Sequence, residues 1–263
     1  MKLLFIKIPL LLILLVGLLL LCLYYAQEKL IFFPSKLSKE HRFSFTAAYE
    51  EHFISSGSEQ IHSLLFTKPQ SKGVVLYFHG NAGNLDSWGH IHEDFQASPY
   101  DVWIIDYRGY GKSTGHISAE MDLYTDAESL YQMAMERYED VDVIIYGRSI
   151  GSGVAAYLAE KHPPKMLILE TPYFNFPDLV QSIYPQVPRF LLRYKLQTNE
   201  YIGNTNYPIH LFHGTEDGLI PFNSSLRLEE LNDNCTLHTI KGAGHNNIGA
   251  FPVYQQELLR ILK

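Results

Sequence analysis

The amino-acid sequence predicts an α/β domain: a mostly parallel, eight-stranded sheet with helices on both faces and a short cap. From about residue 43 onward, short apolar runs rich in β-branched residues alternate with longer stretches of helical periodicity. This alternation is typical of parallel sheets whose strands are joined by helices. The central runs, such as GVVLYF at 73–78, are continuously apolar, as expected for strands that are buried on both faces.

The individual elements follow from these runs in chain order. Strands are predicted at 49–54, 61–66, 73–78, 101–106, 141–146, 166–170, 208–213 and 236–240. The first two runs contain both apolar and polar residues, which suits an antiparallel edge of the sheet. Helices are predicted at 86–96, 120–137, 150–161 and 246–262.

The segment 173–207 breaks the alternation, because it combines prolines with many aromatic residues and has no clean strand pattern. It is predicted to be a cap inserted between two strands, lying over the strand ends. Two interpretations of its aromatic side chains stay open. They either shape an apolar pocket above the sheet or simply pack as a surface subdomain.

The first 25 residues are predicted to be an N-terminal transmembrane anchor. From Leu3 to Tyr25 the chain is almost wholly aliphatic, and a helix of that length crosses a bilayer. A connector at 26–42 leads into the domain at 43–263. The apolar residues of the connector, from Ile31 to Pro34, are expected to rest at the level of the lipid headgroups or to pack against the domain.

Two processed forms of this N-terminal segment stay open. A secretory signal would be cleaved after Ala26, although Tyr24 stands where such a site needs a small residue. A lipoprotein would carry its lipid on Cys22, although Leu21 precedes it. Basic residues flank the segment on both sides, but a short basic N-terminus resembles that of a signal anchor. We therefore expect a single-pass membrane protein with the domain on the extracytoplasmic side.

Charge and cysteine content exclude several classes of function. The net charge is -7 and no sustained run of Lys or Arg occurs, so no nucleic-acid partner is predicted. The two cysteines, Cys22 and Cys235, lie far apart, one in the anchor and one in the domain. They provide neither a disulfide framework nor a CxxC metal site. His90 and His92 are two residues apart and cannot share a helix face, so no metal site is predicted there.

A nucleophile is predicted at Ser149. The motif Gly147-Arg148-Ser149-Ile150-Gly151 directly follows a predicted strand and opens a predicted helix, which is the context that gives a G-x-S-x-G match its meaning. Its glycines allow a sharp turn, and the amide of Ile150 is a candidate oxyanion donor. The overlapping dinucleotide-like pattern at 151–156 begins inside the helix rather than after the strand, so no nucleotide cofactor is predicted.

The other members of the site are predicted from loops at strand ends. The loop His79-Gly80-Asn81 follows the strand at 73–78, and the amide of Asn81 is the second candidate oxyanion donor. His245 follows the last strand and is the candidate base, while Asp217 follows the strand at 208–213 and is the candidate acid. Glu216 and Glu170 remain rival acids.

Six motifs occur in one order along the chain: HGNAGN, DYRGYGKSTG, YGRSIGSGVA, LETPYF, HGTEDGLIP and GAGHNN. Together they cover roughly residues 43–263. In this combination the sequence resembles the α/β-hydrolase-domain proteins, in the branch that includes membrane-associated lysophospholipid and monoacylglycerol lipases and protein depalmitoylases.

The resemblance implies an α/β-hydrolase fold and a cofactor-free serine hydrolase of the esterase, lipase or thioesterase type. It implies that Ser149 is the nucleophile, His245 the base and Asp217 the acid. It also implies that the amides of Asn81 and Ile150 are the oxyanion donors. The expected substrate is a small-molecule or lipid acyl ester or thioester, cleaved through an acyl-enzyme. The branch is also related to serine aminopeptidases, so a peptidase is the alternative. A non-catalytic membrane-anchored binding protein on the same scaffold is a lesser one.

Overall fold

The computed structural model describes residues 2–263, with side chains from residue 7 onward. Met1, the first residue of the predicted anchor, lies outside the described residues. The strands are β1 Phe33–Pro34, β2 Tyr49–Ser56, β3 Glu59–Phe66, β4 Gly73–Phe78, β5 Ala82–Gly83, β6 Tyr100–Ile105, β7 Asp142–Arg148, β8 Met166–Glu170, β9 Ile209–Gly214 and β10 Cys235–Ile240. The α-helices are α1 Lys2–Ile31, α2 Leu85–Trp88, α3 Glu120–Arg137, α4 Gly151–Lys161, α5 Phe176–Ile183, α6 Thr198–Ile202, α7 Asn223–Glu229 and α8 Pro252–Ile261.

Eight strands form one sheet in the order β10-β9-β8-β7-β4-β6-β3-β2. The six strands from β10 to β6 in this order are parallel, whereas β2 and β3 add an antiparallel edge. The predicted fold class and the predicted antiparallel edge are therefore confirmed. The order reverses between β4 and β7, and in sheets of this kind ligands bind beyond the carboxyl ends of the strands at such a switch point.

Alternate residues of the central strands pack into two separate cores. In β4, Val74, Leu76 and Phe78 belong to one core, and Val75 and Tyr77 belong to the other. Helices α3, α4 and α7 contribute to the first core, and helices α2 and α8 to the second. Because both faces of the sheet are covered by helices, the strands have to be apolar at every position, which is the pattern seen in the sequence.

The helices differ from the sequence prediction in four places. The helix predicted at 246–262 is a 3₁₀ turn at Ile248–Ala250 followed by α8. The helix predicted at 86–96 is α2 followed by a 3₁₀ helix at Gly89–Phe95. Helix α7 was not predicted, because it has only seven residues and includes Ser224 and Ser225, which are weak helix formers. The segment predicted to be a cap contains α5, α6 and a 3₁₀ turn at Arg189–Leu191.

The N-terminal helix continues to Ile31, beyond the predicted boundary at residue 25. Its segment Lys7–Ile31 has a mean hydropathy of 2.7 and is long and apolar enough to cross a membrane. At its end, Ile31 and Phe32 are buried in the core of the domain, while Phe33 is 52% exposed. Of the two expectations for the connector, packing against the domain therefore describes Ile31 and Phe32.

Candidate active site

Ser149 lies on the turn between β7 and α4, at the switch point of the sheet. Its backbone has a φ angle of 53°, in the left-handed region that L-residues rarely adopt. The neighbouring glycines are required by close packing. A Cβ atom on Gly147 would lie 2.4 Å from the carbonyl oxygen of Gly151, and one on Gly151 would lie 2.2 Å from that of Phe78. The sharp turn holds the Ser149 side chain above the sheet.

The structure brings Ser149, His245 and Asp217 together from the ends of three different strands. The Nε2 atom of His245 lies 3.1 Å from Oγ of Ser149, and the Nδ1 atom lies 2.8 Å from Oδ2 of Asp217. Because an ionised carboxylate can only accept, Nδ1 carries the proton and Nε2 is free to accept one from the serine. His245 can therefore take the proton of Ser149 while the serine oxygen attacks as the nucleophile.

The carboxylate of Asp217 is held in its ionised form. Burial alone would raise its pKa, but hydrogen bonds from His213 and His245 and from the amide of Ile220 outweigh it, so the pKa lies well below its usual range. The other carboxylate oxygen accepts 2.8 Å bonds from the amides of Leu219 and Ile220. Asp217 is thus fixed in position and in charge, as a residue that orients an imidazole has to be.

The amide of Ile150 is oriented by the other end of its own peptide group. The carbonyl oxygen of Ser149 accepts hydrogen bonds from the amide of Ser152, at 2.9 Å, and from Oγ of Ser152, at 2.7 Å. Since a peptide group is planar and trans, fixing the Ser149 carbonyl also fixes the direction of the Ile150 N–H. Ile150 lines the same cavity as Ser149.

The amide of Asn81 is oriented in the same way. The Nδ1 atom of His79 donates to the carbonyl oxygen of Gly80 at 2.7 Å, which fixes the peptide group that carries the Asn81 N–H. His79 is buried and stacks on Trp88, with ring centroids 5.5 Å apart. Asn81 also lines the cavity beside Ser149. His79 therefore supports the loop and does not approach Ser149 as a base.

The two rival acids are placed elsewhere. Glu216 is exposed, whereas His245 Nδ1 is bonded to Asp217. Glu170 is buried and forms an ion pair with Nε of Arg148 at 3.0 Å. Arg148 in turn donates to the carbonyl oxygen of His245 at 3.3 Å. The Arg148–Glu170 pair thus supports the loop that carries His245, a role that was not inferred from the sequence.

A half-buried carboxylate near this network, Asp94, gives a prediction for stability. Burial raises its pKa to about 6, repulsion from Glu170 adds to the effect, and a hydrogen bond from Gln255 opposes it. The folded state then holds the proton more tightly than the unfolded chain, so stability decreases as pH rises from about 4 to about 6. We expect Asp94→Asn to be more stable than wild type by about 1–3 kcal/mol at pH 8.

Urea denaturation at pH 4 and pH 8 measures this effect. The amide oxygen of asparagine still accepts from Gln255, so the gain should appear at pH 8 and vanish near pH 4. The exposed neighbour Glu93 supplies the control variant Glu93→Gln, which should change stability by less than about 0.5 kcal/mol at either pH. An equal gain for Asp94→Asn at both pH values would contradict the prediction.

A cavity of about 700 Å³ extends from Ser149 between the cap and α1. Its walls are almost entirely apolar: Leu19, Leu20, Leu23, Gln27, Leu30, Ile31, Phe33, Asn81, Ser149, Ile150, Tyr173, Phe176, Leu179, Val180, Ile183, Tyr184, Gln186, Val187, Pro188, Leu191, Leu192, Leu219 and Ile220. The volume falls in the range of about 300–1,000 Å³ that is usual for small-molecule sites. The contribution of α1 to this wall was missed in the sequence, where the helix was interpreted only as an anchor.

Other types of site find no support in the described part of the chain. Among residues 2–263, no group of three or more His, Cys, Asp or Glu side chains is arranged to hold a metal ion. The dinucleotide-like pattern at 151–156 lies within α4, where its glycines allow close packing of the helix. Gly153, for example, faces the hydroxyl of Tyr173, which a Cβ atom would approach to 2.2 Å.

Comparison with known proteins identifies relatives of the chain. Protein bem46 of Schizosaccharomyces pombe is 33% identical over 162 residues, covering 58% of this chain and 54% of bem46. The lysophosphatidylserine lipase ABHD12 of Danio rerio is 30% identical over 182 residues, covering 61% of this chain and 47% of that lipase. Alpha/beta hydrolase domain-containing protein 17C of Mus musculus is 27% identical over 198 residues, covering 74% of this chain and 61% of that protein. The chain spans about half the length of the first two relatives.

Solved structures share the fold at low sequence identity. The esterase Pf2001 of Pyrococcus furiosus matches with a TM-score of 0.70 and 18% identity, over 88% of this chain and 97% of the esterase. Est1E of Butyrivibrio proteoclasticus, solved with ferulic acid bound, matches with a TM-score of 0.67 and 17% identity, over 81% and 96%. A family model described as serine aminopeptidase, S33 matches residues 69–200, which is half of the chain. The chain therefore belongs to this family and has the α/β-hydrolase fold.

Proposed function

We propose that this chain is a membrane-anchored serine hydrolase that cleaves carboxylic ester or thioester bonds of lipid or acylated substrates. The observation that carries the proposal is the apolar cavity of about 700 Å³, whose wall contains Ser149 together with Asn81 and Ile150. A cavity of this kind accommodates an acyl chain and presents its carbonyl carbon to the serine.

The reaction follows from the geometry of the site. Ser149 attacks the carbonyl carbon while Nε2 of His245, 3.1 Å away, takes its proton. Asp217 keeps the imidazole in the required tautomer and stabilises it when it is charged. The amides of Asn81 and Ile150 donate to the oxyanion. His245 then protonates the leaving alcohol or thiol, and water, deprotonated by His245, releases the acid from the acyl-enzyme.

The chemistry of the cavity favours an acyl substrate over a peptide amino terminus. The family description names an aminopeptidase, and such an enzyme has to bind the ammonium group of its substrate. Among the described residues that line the cavity, none is charged. Placing an unpaired ammonium group among leucine and phenylalanine side chains costs several kcal/mol. An uncharged acyl chain meets no such cost.

A pair of substrates with the same leaving group tests this preference. The p-nitrophenyl esters of decanoic acid and of leucine differ in the acyl part alone. We expect the Ser149-dependent kcat/KM for the decanoyl ester to exceed that for the leucyl ester by more than about 100-fold. Faster turnover of the leucyl ester would overturn the proposal in favour of the aminopeptidase. Turnover that is the same in wild type and Ser149→Ala would favour a binding protein.

We also propose that α1 stays attached as a single-pass anchor with the domain on the extracytoplasmic side. The hydropathy of Lys7–Ile31 supports a membrane span. Leu19, Leu20 and Leu23, which precede the possible cleavage site at Ala26, line the cavity and so support an uncleaved helix. Protease added to intact cells should then digest the domain. Protection of the domain in intact cells, with digestion after lysis, would overturn this orientation.

A further inference from the structure

The N-terminal helix contributes one continuous stripe to the cavity wall. The stripe consists of Leu19, Leu20, Leu23, Gln27, Leu30 and Ile31. These positions recur at the spacing of one helix face. Leu20 and Leu23, in the middle of this face, are half-buried. Leu19 and Leu30, at its margins, are 58% and 59% exposed, and Leu18 and Leu21, on the other side of the helix, are 55% and 53% exposed. One face of the helix therefore belongs to the domain, and the rest is left for lipid.

A buried polar side chain fixes this helix against the cap. Gln27 is only 6% exposed, although it lies in an apolar helix. Its Nε2 atom donates to the carbonyl oxygen of Leu191 at 2.9 Å, and its Oε1 atom accepts from the amide of Arg193 at 2.9 Å. Since the neighbouring Leu191 lines the cavity, these bonds fix the distance between the two walls.

An ion pair strengthens the same contact. Oε1 of Glu28 lies 2.7 Å from Nη1 of Arg193 and accepts a hydrogen bond from the hydroxyl of Tyr194 at 3.1 Å. An anchor that only tethered the domain would not need specific polar bonds to the cap. The bonds of Gln27 and Glu28 indicate that the position of α1 is part of the fold.

The end of α1 is hydrogen-bonded to the loop that carries Asn81. The amide of Phe33 donates to the carbonyl oxygen of Asn81 at 2.8 Å, and Nδ2 of Asn81 donates to the carbonyl oxygen of Ile31 at 2.9 Å. Strand β1 then pairs with β5 in parallel. The Ile31 end of the stripe is therefore the end nearest the proposed oxyanion site, and Leu19 marks the far end.

The stripe runs from the site toward the membrane. From Ile31 to Leu19 it covers about 18 Å of helix at about 1.5 Å per residue. A hydrocarbon slab of about 30 Å takes about 20 residues of helix. With Lys7 at one boundary, the other lies near Gln27, so Leu20 and Leu23 are at the depth of the lipid tails. An acyl chain in the cavity then extends along α1 into the bilayer.

We propose that Leu20 and Leu23 of α1 form the wall that determines which acyl-chain lengths the site accepts. The membrane helix would then be a specificity element as well as an anchor, and the acyl chain would reach the site from the bilayer along it. The inference rests on the proposed hydrolysis at Ser149. The ligand that contacts this wall is the acyl chain of the ester or thioester substrate.

Chain-length profiles of α1 variants test this role. The full-length protein in lipid nanodiscs is assayed with p-nitrophenyl esters from butanoyl to hexadecanoyl. We expect Leu23→Trp, which fills the cavity, to lower the ratio of kcat/KM for the dodecanoyl ester to that for the butanoyl ester by at least about 10-fold. Leu23→Ala, which widens the cavity, should shift the preferred chain length upward. The matched control is Leu21→Trp, on the exposed side of the same helix, and it should leave the profile unchanged.

The outcomes separate this inference from the function on which it rests. A Leu23→Trp profile identical to that of Leu21→Trp, with Ser149-dependent turnover intact, would overturn the role of α1 alone. Wild-type turnover that does not depend on Ser149 would overturn the proposed function and the inference together. Should Leu23→Trp fail to fold, an unchanged profile for Leu23→Ala would still count against the proposal.

Discussion

Replacing Ser149 by alanine is expected to lower kcat for ester hydrolysis by at least about 10⁴-fold. The variant removes the proposed nucleophile, while His245 and Asp217 keep their own hydrogen bond of 2.8 Å. Substrate should still enter the cavity, because its walls are unchanged. The loss is therefore expected in kcat, and steady-state kinetics on the decanoyl ester measures it.

Stability provides the control for this loss. Ser149→Ala removes one partly buried hydrogen bond, at 3.1 Å from His245, and should change the free energy of unfolding by less than about 1 kcal/mol. Ser58→Ala, at an exposed serine, serves as the matched variant with wild-type activity. Residual activity of Ser149→Ala above a tenth of wild type would rule out Ser149 as the nucleophile.

Replacing Asp217 by asparagine is expected to lower kcat by about 10⁴-fold with little change in KM. The asparagine oxygen can still accept from the amides of Leu219 and Ile220, which bond Asp217 at 2.8 Å. Its NH₂ group then faces Nδ1 of His245 and favours the tautomer that carries the proton on Nε2. In that tautomer the imidazole cannot take the proton of Ser149.

The neighbouring carboxylate supplies a control for Asp217. Glu216 is exposed, and Glu216→Gln should retain wild-type kcat and KM. Equal losses in the two variants would indicate a general effect of charge in this loop. A loss in Glu216→Gln alone would instead assign the acid to Glu216, the rival that the sequence left open.

The sheet and the candidate site could be predicted because they depend on strand ends. Each of the eight short runs predicted to be a strand is one, and the carboxyl ends of parallel strands meet at one edge. Ser149, Asp217 and His245 each follow such a run, so chain order alone brings them near one another. The distances of 2.8 and 3.1 Å between them come from the structure.

Two features were not predicted from the sequence: the contribution of α1 to the cavity wall and the support of the His245 loop. Both depend on packing between segments that are distant in the chain. In α1 every face is apolar, so periodicity cannot distinguish the stripe that lines the cavity from the exposed faces. The signal that was present is Gln27 and Glu28, two polar residues placed before the helix ends at Ile31. The support of the His245 loop by Arg148 and Glu170 also joins residues far apart in sequence.

Labelling of the full-length protein with a fluorophosphonate tests the central claim most directly, because this reagent reacts with a serine that an adjacent base has activated. After digestion, mass spectrometry of the peptides identifies the modified residue. The account predicts stoichiometric modification of Ser149 in wild type and none in Ser149→Ala. Modification of a different residue, or equal labelling of wild type and Ser149→Ala, would contradict it.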